Sequence, residues 1–495
     1  MKQLLGFTPD SPTVMPGIII DCTQFIPYES GMRAAPSLNT QAAALAAACL
    51  GAATLTKLDG SRRVFAGSAA KLYELSGGAW TDVSRAASYT LGADTRWSIT
   101  QFGDTSVAAS IDNVIQTSIA GAFADQATAP QARIIESVLS SGGGFVFGFD
   151  TIDATFGTSQ DRWWCCALNN VTSWTPSVAS QATTGRLLGV EGPIKAAKKL
   201  GADRIVAYKA QGLYIGVYVG PPTVWAWTEI PTFGAAGPDA VADIGTAHFC
   251  VSEDDLYIFD GARPVPIATN KVRQWFIDNS SGTYRYRTLV QHDRQHDLVW
   301  VFFVSEGSST GDRDRCLVYH LRTQQWGKAD RTVEAALIFN QPTITFDGDA
   351  GTFDSATDPF DAVSPGNKLV AVFDSSHILS TLDGTPGATS FTLHDIGDDN
   401  FLSKVCVNER KSAEPIRLQY MTTPASASVD GFYTMATGLT QTTGLTQSAS
   451  DVPANGSNAF FIRQTARWHR LKFNFTGLCR VSGYNVPIAA AGGER

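Results

Sequence analysis

The sequence predicts an all-β protein, a β-propeller of about six blades with an additional antiparallel β platform module formed by the chain ends. Strand-like segments dominate the chain, a motif centred on an aromatic residue recurs at intervals of 43 to 53 residues, and long amphipathic helices are few. A repeat of roughly 40–50 residues that holds several short strands is typical of propeller blades, which bury their faces against one another around an axis.

The strand prediction rests on segments that are rich in β-branched and aromatic residues and separated by Gly, Asp, Asn and Ser. These segments are 62–75, 143–150, 203–220, 248–261, 298–304 and 316–321. Two other segments favour a helix. Residues 193–201 have a proline at the start and a glycine at the end, and residues 40–53 are rich in alanine.

The recurring motif GGAWTDVS (77–84) is repeated as AGAFADQA, VTSWTPSV, VWAWTEIP and TQQWGKAD. Its central aromatic residues, which we predict to mark the turns of successive blades, are Trp80, Phe123, Trp174, Trp227 and Trp326. The last interval is 99 residues, close to two periods, so a unit without tryptophan is expected at 258–268. A further candidate blade lies at 368–384.

Four regions are expected from these patterns. Residues 1–54 form an extended docking segment that packs with the C-terminal module, and residues 55–345 form propeller blades. Residues 346–400 hold acidic turn repeats and further strands, as a possible last blade or channel region. Residues 401–495 form the C-terminal antiparallel β module.

The composition is that of a folded protein whose negative charge is concentrated in one segment. Hydrophobic residues make up 44% of the 495 residues and charged residues 17%, which excludes disorder. The net charge is −8, and residues 340–405 alone carry ten aspartates against two lysines, so the rest of the chain is neutral. No signal peptide or membrane-spanning run is recognised, and the eight cysteines lack metal-site spacing, which predicts buried thiols made in a reducing compartment.

Within the acidic segment, a Phe-Asp pair occurs three times at a spacing of seven residues. The phenylalanines are Phe346, Phe353 and Phe360, and the aspartates of the segment are Asp347, Asp349, Asp354, Asp358 and Asp361. A coiled coil is excluded because each heptad has only one apolar position. The positions between the Phe-Asp pairs hold turn-forming residues such as Gly, Thr, Ser and Pro. A calcium loop is a possible alternative, although it matches at Asp347 and Asp349 only. We predict three turns, each anchored by a buried ring, without a bound metal.

No catalytic residues or cofactor are predicted. His292 and His296 in QHDRQHDLVWVFF lie between two strand-like segments, which favours a hairpin turn with polar residues facing water over a zinc site. Nucleophile-elbow, phosphate-loop and dinucleotide motifs are not found. Two groups of basic residues predict a solvated or subunit-contacting face, with nucleic-acid binding as the alternative. They are Lys195, Lys198, Lys199, Arg204 and Lys209, and Arg463, Arg467, Arg470, Lys472 and Arg480.

Several segments, in this order, resemble the tail nozzle or packaged-DNA-stabilisation proteins of short-tailed bacteriophages (podoviruses). IIIDCTQFIPYESGMRAAPSL (18–38) is similar to the family's opening, with Gln24 in place of the usual asparagine. FAGSAAKLYELSGGAWTDVSR (65–85) and LVYHLRTQQWGK (317–328) resemble blade units, and ARWHRLKFNFTG (466–477) resembles the C-terminal strand. The Phe-Asp repeat corresponds to a stretch where the family often has Trp-Asp repeats.

The resemblance implies a non-enzymatic virion protein of the phage tail, made in the host cytoplasm. Such proteins form a six-fold ring, a homo-hexamer, that contacts an upstream adaptor and tail fibres or spikes. The ring is a conduit and gate for the retention and ejection of double-stranded DNA. We expect the aspartates of the acidic segment to line the lumen, because carboxylates repel phosphates over a Debye length of roughly 8 Å. A glycan-hydrolysing propeller and a receptor-binding adhesin are the alternatives.

Overall fold

The computed structural model of the protein is built almost entirely of β-strands, which confirms the predicted all-β class. It describes residues 1–231, 233–340, 368–397, 403–407, 415–434, 446–453, 458–462, 464–466 and 468–493. Within these ranges there is one α-helix, α1 (Arg273–Asn279), and one 3₁₀ turn at Arg285–Arg287. None of the helical segments in this part of the chain has the length and apolar content needed to cross a bilayer.

Thirty-three strands precede the C-terminal region. The N-terminal strands are β1 (Lys2–Gln3), β2 (Gly6–Phe7), β3 (Ile18–Thr23), β4 (Phe25–Tyr28), β5 (Gly31–Ala34) and β6 (Ser37–Thr40). They are followed by β7 (Ala52–Thr56), β8 (Arg62–Gly67), β9 (Leu72–Ser76), β10 (Ala79–Asp82), β11 (Ser98–Phe102), β12 (Thr105–Ser110), β13 (Asn113–Ser118), β14 (Ala124–Asp125), β15 (Gln131–Ser140), β16 (Gly143–Asp153), β17 (Gly157–Cys165) and β18 (Thr183–Arg186). The next are β19 (Ala196–Leu200), β20 (Arg204–Tyr208), β21 (Leu213–Gly220), β22 (Val224–Ile230), β23 (Val241–Asp243), β24 (His248–Val251), β25 (Leu256–Phe259), β26 (Pro264–Pro266), β27 (Leu289–Asp293), β28 (Leu298–Phe303), β29 (Arg315–His320), β30 (Trp326–Lys328), β31 (Ala335–Phe339), β32 (Leu369–Phe373) and β33 (Leu379–Gly384).

Strands β7 to β33 form antiparallel four-stranded units of the propeller type. Four units are separate sheets: β7–β10, β19–β22, β23–β26, and β31–β33 completed by β6. Two more units, β11–β14 and β15–β18, join into one sheet through the pair Val114–Gln131. The unit β27–β30 continues into a larger sheet through the pair Lys328–Phe25.

The first strands of these units form a closed ring, which confirms the predicted propeller arrangement. Strand β7 contacts β11, and the contacts continue through β15, β19, β23, β27 and β31 back to β7. The expected number of about six blades is wrong. Four blades are separate sheets, and the ring of first strands passes through three further units that belong to larger sheets. The aromatic motif marks units of both kinds, but the sequence could not show which of them merge into larger sheets, because merging depends on contacts between distant segments.

The propeller is held together by hydrophobic clusters between adjacent units. Val64 and Leu75 of the first unit, for example, pack with Phe373 of the last. Val107 of the second unit packs with Val146 of the third, and further clusters join the following units in turn. Because each face is buried against a neighbour, the units depend on one another for stability.

The N-terminal segment closes the last blade. Strand β6 pairs with β33, and the Asn39 carbonyl accepts a hydrogen bond from the Thr381 hydroxyl at 3.3 Å. The amide of Gln41 donates to the Leu379 carbonyl at 2.9 Å. Residues that are more than 300 positions apart therefore share one sheet, and the ring cannot open without breaking this pairing.

The remaining strands form the platform module, which we define as residues 2–34 and 388–493 within the described ranges. Its C-terminal strands are β34 (Ala388–Leu393), β35 (Ile396–Gly397), β36 (Ser403–Val407), β37 (Ile416–Thr422), β38 (Ser426–Thr434), β39 (Thr446–Asp451), β40 (Ala459–Phe460), β41 (Gln464–Ala466), β42 (Trp468–Thr476), β43 (Arg480–Asn485) and β44 (Ile488–Gly493). One sheet has the order β2-β3-β34-β42-β38-β39, and another runs from β4 through β5 and β43 to β37 and β40.

The core of the platform is a stack of aromatic rings from both ends of the chain. Phe391 on β34 is fully buried, and its ring centroid lies 5.1 Å from that of Phe25 on β4. Its centroid also lies 5.2 Å from that of Phe473 and 5.7 Å from that of Phe475, both on β42. Neither end of the chain could bury these rings alone, so the two ends form one folding unit.

The predicted strand segments are confirmed, whereas both helix predictions are wrong. Residues 196–200 form the inner strand β19, in which Ala196 pairs with Tyr208 of the next strand. Sheet pairing therefore overrides the helical propensity of alanine and lysine, which amounts to roughly a few tenths of a kcal/mol per residue. Residues 41–51 form an irregular segment with buried Ala42, Leu45 and Cys49, between β6 and β7.

The cysteines behave as predicted in the described part of the chain. Seven are free and buried there. Cys165 belongs to the cluster between the third and fourth units, and Cys166 to the cluster between the second and third. The neighbouring thiols therefore face opposite sides of their sheet, and burial raises the pKa of Cys166 to about 12.

Candidate functional site: the axial channel and its cationic mouth

An axial channel lies inside the ring of first strands. This cavity of about 370 Å³ is lined by residues from all seven first strands, among them Thr54, Thr100, Glu136, Lys198 and Gln291. Its volume is at the lower end of the roughly 300–1,000 Å³ range of small-molecule sites. A B-form duplex, whose major groove alone is about 12 Å wide, is too large for such a cavity. The channel of one propeller therefore does not pass double-stranded DNA.

One ion pair crosses the wall of the axial channel. The ammonium of Lys198 on β19 lies 3.6 Å from the carboxylate of Glu136 on β15. Burial raises the pKa of Glu136, while Lys198 and Lys199 act in the opposite direction. The pair links adjacent units and keeps the channel wall close to neutral at this level.

A second cavity, which we call the cationic mouth, lies at the end of the channel where the first strands begin. It has a volume of about 210 Å³. The segments that lead into β11, β19, β23 and β27 contribute Arg96, Lys195, Asp239 and Arg287. Its charged lining comprises five cations (Arg96, Arg133, Lys195, Arg287 and Arg313) and three carboxylates (Asp94, Asp150 and Asp239), so its formal charge is +2.

Arg313 is the most deeply buried cation of the mouth, with 4% exposure. Its guanidinium donates to the backbone carbonyls of Arg287 and Glu334 and lies 3.7 Å from a carboxylate oxygen of Asp239. Burial lowers the pKa of Arg313 to about 10, and the neighbouring Arg96 and Arg287 act in the same direction. The side chain remains charged at neutral pH and fixes two chain segments at the mouth.

Arg287 holds the rim of the mouth. It forms an ion pair of 2.6 Å with Asp94 and donates to the Gly311 carbonyl at 2.9 Å. The Tyr286 hydroxyl also donates to Asp94, at 2.8 Å. These two donors lower the pKa of the Asp94 carboxyl, with Arg287 the larger cause. The Nε atom of Arg287 is buried and has no hydrogen-bond partner among the described residues.

The carboxylates of the mouth are already engaged with cations. Asp150 is 3% exposed, and its carboxylate forms a 2.6 Å ion pair with the guanidinium of Arg133. Burial raises the pKa of Asp150, and Arg133 partly offsets this effect. Arg96 and Lys195, by contrast, have no carboxylate within 4.0 Å in the described part of the chain. Burial lowers the pKa of Arg96.

The predicted blade-turn aromatics lie on the fourth strand, or between the third and fourth strands, of five units. Trp80, Trp227 and Trp326 lie on the fourth strands β10, β22 and β30. Phe123 immediately precedes the fourth strand β14, and Trp174 lies between β17 and β18. The expected unit without tryptophan at 258–268 contains β26, the fourth strand of its sheet.

The acidic repeat lies outside the described residues, in 341–367. This applies to the candidate channel-lining residues Asp347, Asp349, Asp354, Asp358 and Asp361, and to the turn anchors Phe346, Phe353 and Phe360. Residues 368–384 are described from Lys368 onward and supply β32 and β33 of the last blade.

His292 and His296 belong to the hairpin between β27 and β28, as predicted. The Nδ1–H of His296 donates a 2.8 Å hydrogen bond to the carboxylate of Asp293. The expectation that the polar residues face water is wrong for His292, which is 7% exposed and lies 3.3 Å from the Asp243 carbonyl. Burial lowers the pKa of His292. The described residues contain no group of His, Cys, Asp and Glu able to hold a metal ion.

The first group of basic residues does not form one face. Lys195 lines the mouth and Lys198 the channel, whereas Lys209 is 1% exposed and donates to the carbonyls of Leu187 and Val190. Sequence reasoning missed Arg96, Arg287 and Arg313 because they come from distant segments. A usable signal was present, since Arg96, Lys195, Asp239 and Arg287 each stand one or two positions ahead of a first strand.

Comparisons with known proteins give structural likeness alone. No family model and no curated protein sequence matches the chain. Among solved structures, the chain is similar to YCF48 bound to D1 peptide (12% identity, 72% of this chain and 97% of that one, TM-score 0.36). It is also similar to the computationally designed Ika8 protein (9% identity, 70% of this chain and 99% of that one, TM-score 0.35). A third similar structure is the Pan2 WD40 domain of Neurospora crassa (10% identity, 68% of this chain and 89% of that one, TM-score 0.37).

Proposed function

We propose that this protein is a structural virion protein that forms the ring-shaped tail nozzle of a short-tailed bacteriophage. Six copies form the ring, which attaches to an upstream tail adaptor and contacts tail fibres or spikes. The ring retains packaged double-stranded DNA and opens for its ejection. The protein has no catalytic role in this process.

The observation that carries the proposal is the construction of the platform module from both chain ends. The segments at 18–38 and 466–477, which resemble the nozzle family at the two ends of the chain, meet in one sheet through the order β3-β34-β42. Cys22 pairs with Phe391, and Phe391 pairs with Phe473. A module that depends on both ends in this way supports a shared architecture rather than chance likeness of short segments.

The connection between platform and propeller is suited to a ring subunit. The sheet of β27–β30 runs directly into the platform through Lys328 and Phe25, so the two parts are joined by backbone hydrogen bonds. Since the axial channel of one propeller is too small for a duplex, a conduit for DNA has to form between copies of the chain. In the proposed ring the propellers lie outside this lumen.

The charge distribution also supports a conduit. A protein that neutralises several phosphates releases counterions and binds DNA non-specifically, with a dissociation constant of roughly 10⁻⁴–10⁻⁶ M. Such binding would slow DNA passage. Ten aspartates and two lysines between residues 340 and 405 provide the opposite charge, and we propose that Asp347, Asp349, Asp354, Asp358 and Asp361 face the lumen.

Electron microscopy of the purified chain, alone and mixed with its upstream tail protein, tests ring formation. We expect a six-fold ring on the tail protein, with residues 346–361 on the lumen wall. A chain that remains a monomer in the mixture, or a ring with these residues on its outer wall, would contradict the proposal. Release of sugars from host envelope by the purified chain would favour the glycan-hydrolase alternative, and binding of the isolated monomer to host cells would favour the adhesin.

The charge argument has its own test in the assembled ring. Replacing the five aspartates by asparagine is expected to create measurable non-specific binding of free double-stranded DNA at low salt, whereas the unmodified ring shows none. A matched control neutralises five exposed carboxylates elsewhere: Asp203, Glu253, Asp254, Asp278 and Asp312. If the control ring binds free DNA as strongly as the aspartate variant does, the effect is one of net charge and the lumen assignment is refuted.

A further inference from the structure

We propose that the cationic mouth of the propeller binds a small oxyanion, a carboxylate or phosphate group carried by a molecule of few heavy atoms. The mouth combines a cavity of about 210 Å³ with a formal charge of +2. This site belongs to a single propeller, and its occupancy is separate from ring formation and from DNA passage.

The excess positive charge is localised on two side chains. Asp94 is paired with Arg287, Asp150 with Arg133, and Asp239 lies nearest to Arg313. Arg96 and Lys195 line the same cavity without a carboxylate within 4.0 Å among the described residues. Asp239 and Asp94 act on the half-buried Arg96 only from beyond ion-pair distance. An incoming anion in direct contact would offset the desolvation cost of this guanidinium more fully.

Arg96 is held by a loop that is fixed in place. Asp112 accepts hydrogen bonds from the Gly92 amide at 2.9 Å and from the Thr95 hydroxyl at 2.6 Å. The guanidinium of Arg96 donates to the carbonyls of Ala93 and Thr95 through one nitrogen, Nη1, at 3.3 Å and 3.0 Å. Its remaining N–H groups are suited to a planar or tetrahedral oxyanion, which arginine binds in a bidentate manner.

The backbone at Lys195 is also fixed by hydrogen bonds. Its amide donates to the Tyr208 carbonyl at 2.7 Å, which fixes the backbone one residue ahead of β19. The preceding segment is held by the buried ammonium of Lys209, which donates to the carbonyls of Leu187 and Val190. Because the backbone is fixed, only the side-chain torsions of Lys195 have to be ordered on binding, which limits the entropic cost.

The fixed arginines strengthen the positive field of the mouth. Arg287 and Arg313 are anchored to backbone carbonyls. In addition to burial, the charge of Arg287 acts to lower the pKa of Arg96, and the charges of Arg96 and Arg287 act to lower the pKa of Arg313. Positive charge in a cleft with low-dielectric walls raises the local concentration of anions. The cavity is smaller than a typical drug-sized site of roughly 300–1,000 Å³, which favours a small ligand over a polymer.

Isothermal titration calorimetry of the full chain tests the proposal, with inorganic phosphate and succinate as separate probes in chloride buffer at constant ionic strength. We expect saturable one-to-one binding of at least one probe, and the tighter probe identifies a tetrahedral phosphate or a carboxylate as the preferred group. The double variant Arg96→Gln/Lys195→Gln is expected to weaken the dissociation constant by roughly tenfold or more, equivalent to about 1.4 kcal/mol.

The matched control is Arg263→Gln/Lys199→Gln, which removes the same charge from exposed positions outside the mouth and is expected to bind as the unmodified chain does. If the first double variant does not fold by circular dichroism, Lys195→Gln alone is compared and is expected to bind several-fold more weakly. Absence of saturable binding of both probes at tens of millimolar would overturn the proposal. Binding that is equal in the mouth variant and the control would overturn it as well.

Discussion

Acidification is expected to destabilise the propeller through His248, the first residue of β24. The side chain is fully buried, with Nε2 2.7 Å from the Lys199 carbonyl and Nδ1 2.6 Å from the Tyr208 hydroxyl. Because a carbonyl can only accept, Nε2 carries the proton and Nδ1 accepts from the tyrosine. The neutral imidazole therefore satisfies both partners and joins two adjacent blades.

The size of the effect follows from the pKa of His248. Burial lowers it from an ordinary value of about 6.5 to about 4; the Lys199 carbonyl and Asp243 partly oppose this, while Lys198 and Arg204 reinforce it. The unfolded chain consequently binds more protons between pH 6.5 and pH 4, so stability falls as the pH decreases through this window. At pH 5 the difference is about 1.5 pKa units, or about 2 kcal/mol at 1.36 kcal/mol per unit.

Urea unfolding followed by tryptophan fluorescence at pH 7.5 and pH 5 measures this loss. The variant His248→Gln keeps a donor for the Lys199 carbonyl and cannot titrate, so its loss of stability over the same pH interval is expected to be smaller by about 2 kcal/mol. Tyr208→Phe is the matched control. It removes one hydrogen bond, costs about 1 kcal/mol at both pH values, and leaves the histidine to titrate.

The reasoning is refuted if His248→Gln and the unmodified chain lose the same free energy of unfolding between pH 7.5 and pH 5. In that case His248 would be protonated at no cost in the folded state, or would be hydrated there. A loss of pH dependence in Tyr208→Phe would also contradict it, because the hydroxyl rather than the imidazole would then be responsible.

Two further predictions concern packing. Trp174→Ala removes a fully buried ring whose Nε1 donates to the Val171 carbonyl at 2.8 Å; we expect a loss of about 3–5 kcal/mol in urea unfolding, against roughly 0.5 kcal/mol or less for the exposed Leu188→Ala. Gly31→Ala would bring a Cβ into steric clash with the Val481 carbonyl oxygen, so we expect the platform to unfold at lower urea than in Gly387→Ala, where the added Cβ meets no atom within 4 Å and φ lies outside the left-handed region. Equal midpoints would contradict the close packing of β5 against β43.

The sequence identified the parts of the fold that are encoded by near neighbours. The aromatic motif marks the fourth strand or its approach in five units, where the ring is fully buried at Phe123, Trp174 and Trp326 and half-buried at Trp80 and Trp227. The hairpin at 291–297 was recognisable from its polar residues between two apolar strands. Residues 193–201 were misassigned because alanine and lysine favour a helix locally, whereas pairing with β20 is a tertiary effect.

The candidate site was largely invisible in the sequence. Arg96, Arg287 and Arg313 are separated by up to 217 positions and share no spacing pattern, yet ring closure brings them to one cavity. Their buried hydrogen bonds, such as those of Arg313 to two backbone carbonyls, depend on segments from different blades. Electrostatic interactions of this kind cannot be inferred before the loops are assembled.

The sequence by itself determined the all-β class, the repeating blades, the buried thiols and the location of the negative charge, because each of these is set by composition or by residues close together in the chain. The tertiary structure alone decided how the ring closes, with β6 completing the last blade, and how both chain ends build the platform around Phe391. It also decided that the propeller mouth is cationic although the chain as a whole is acidic. These features depend on contacts between residues hundreds of positions apart, which local propensity does not encode.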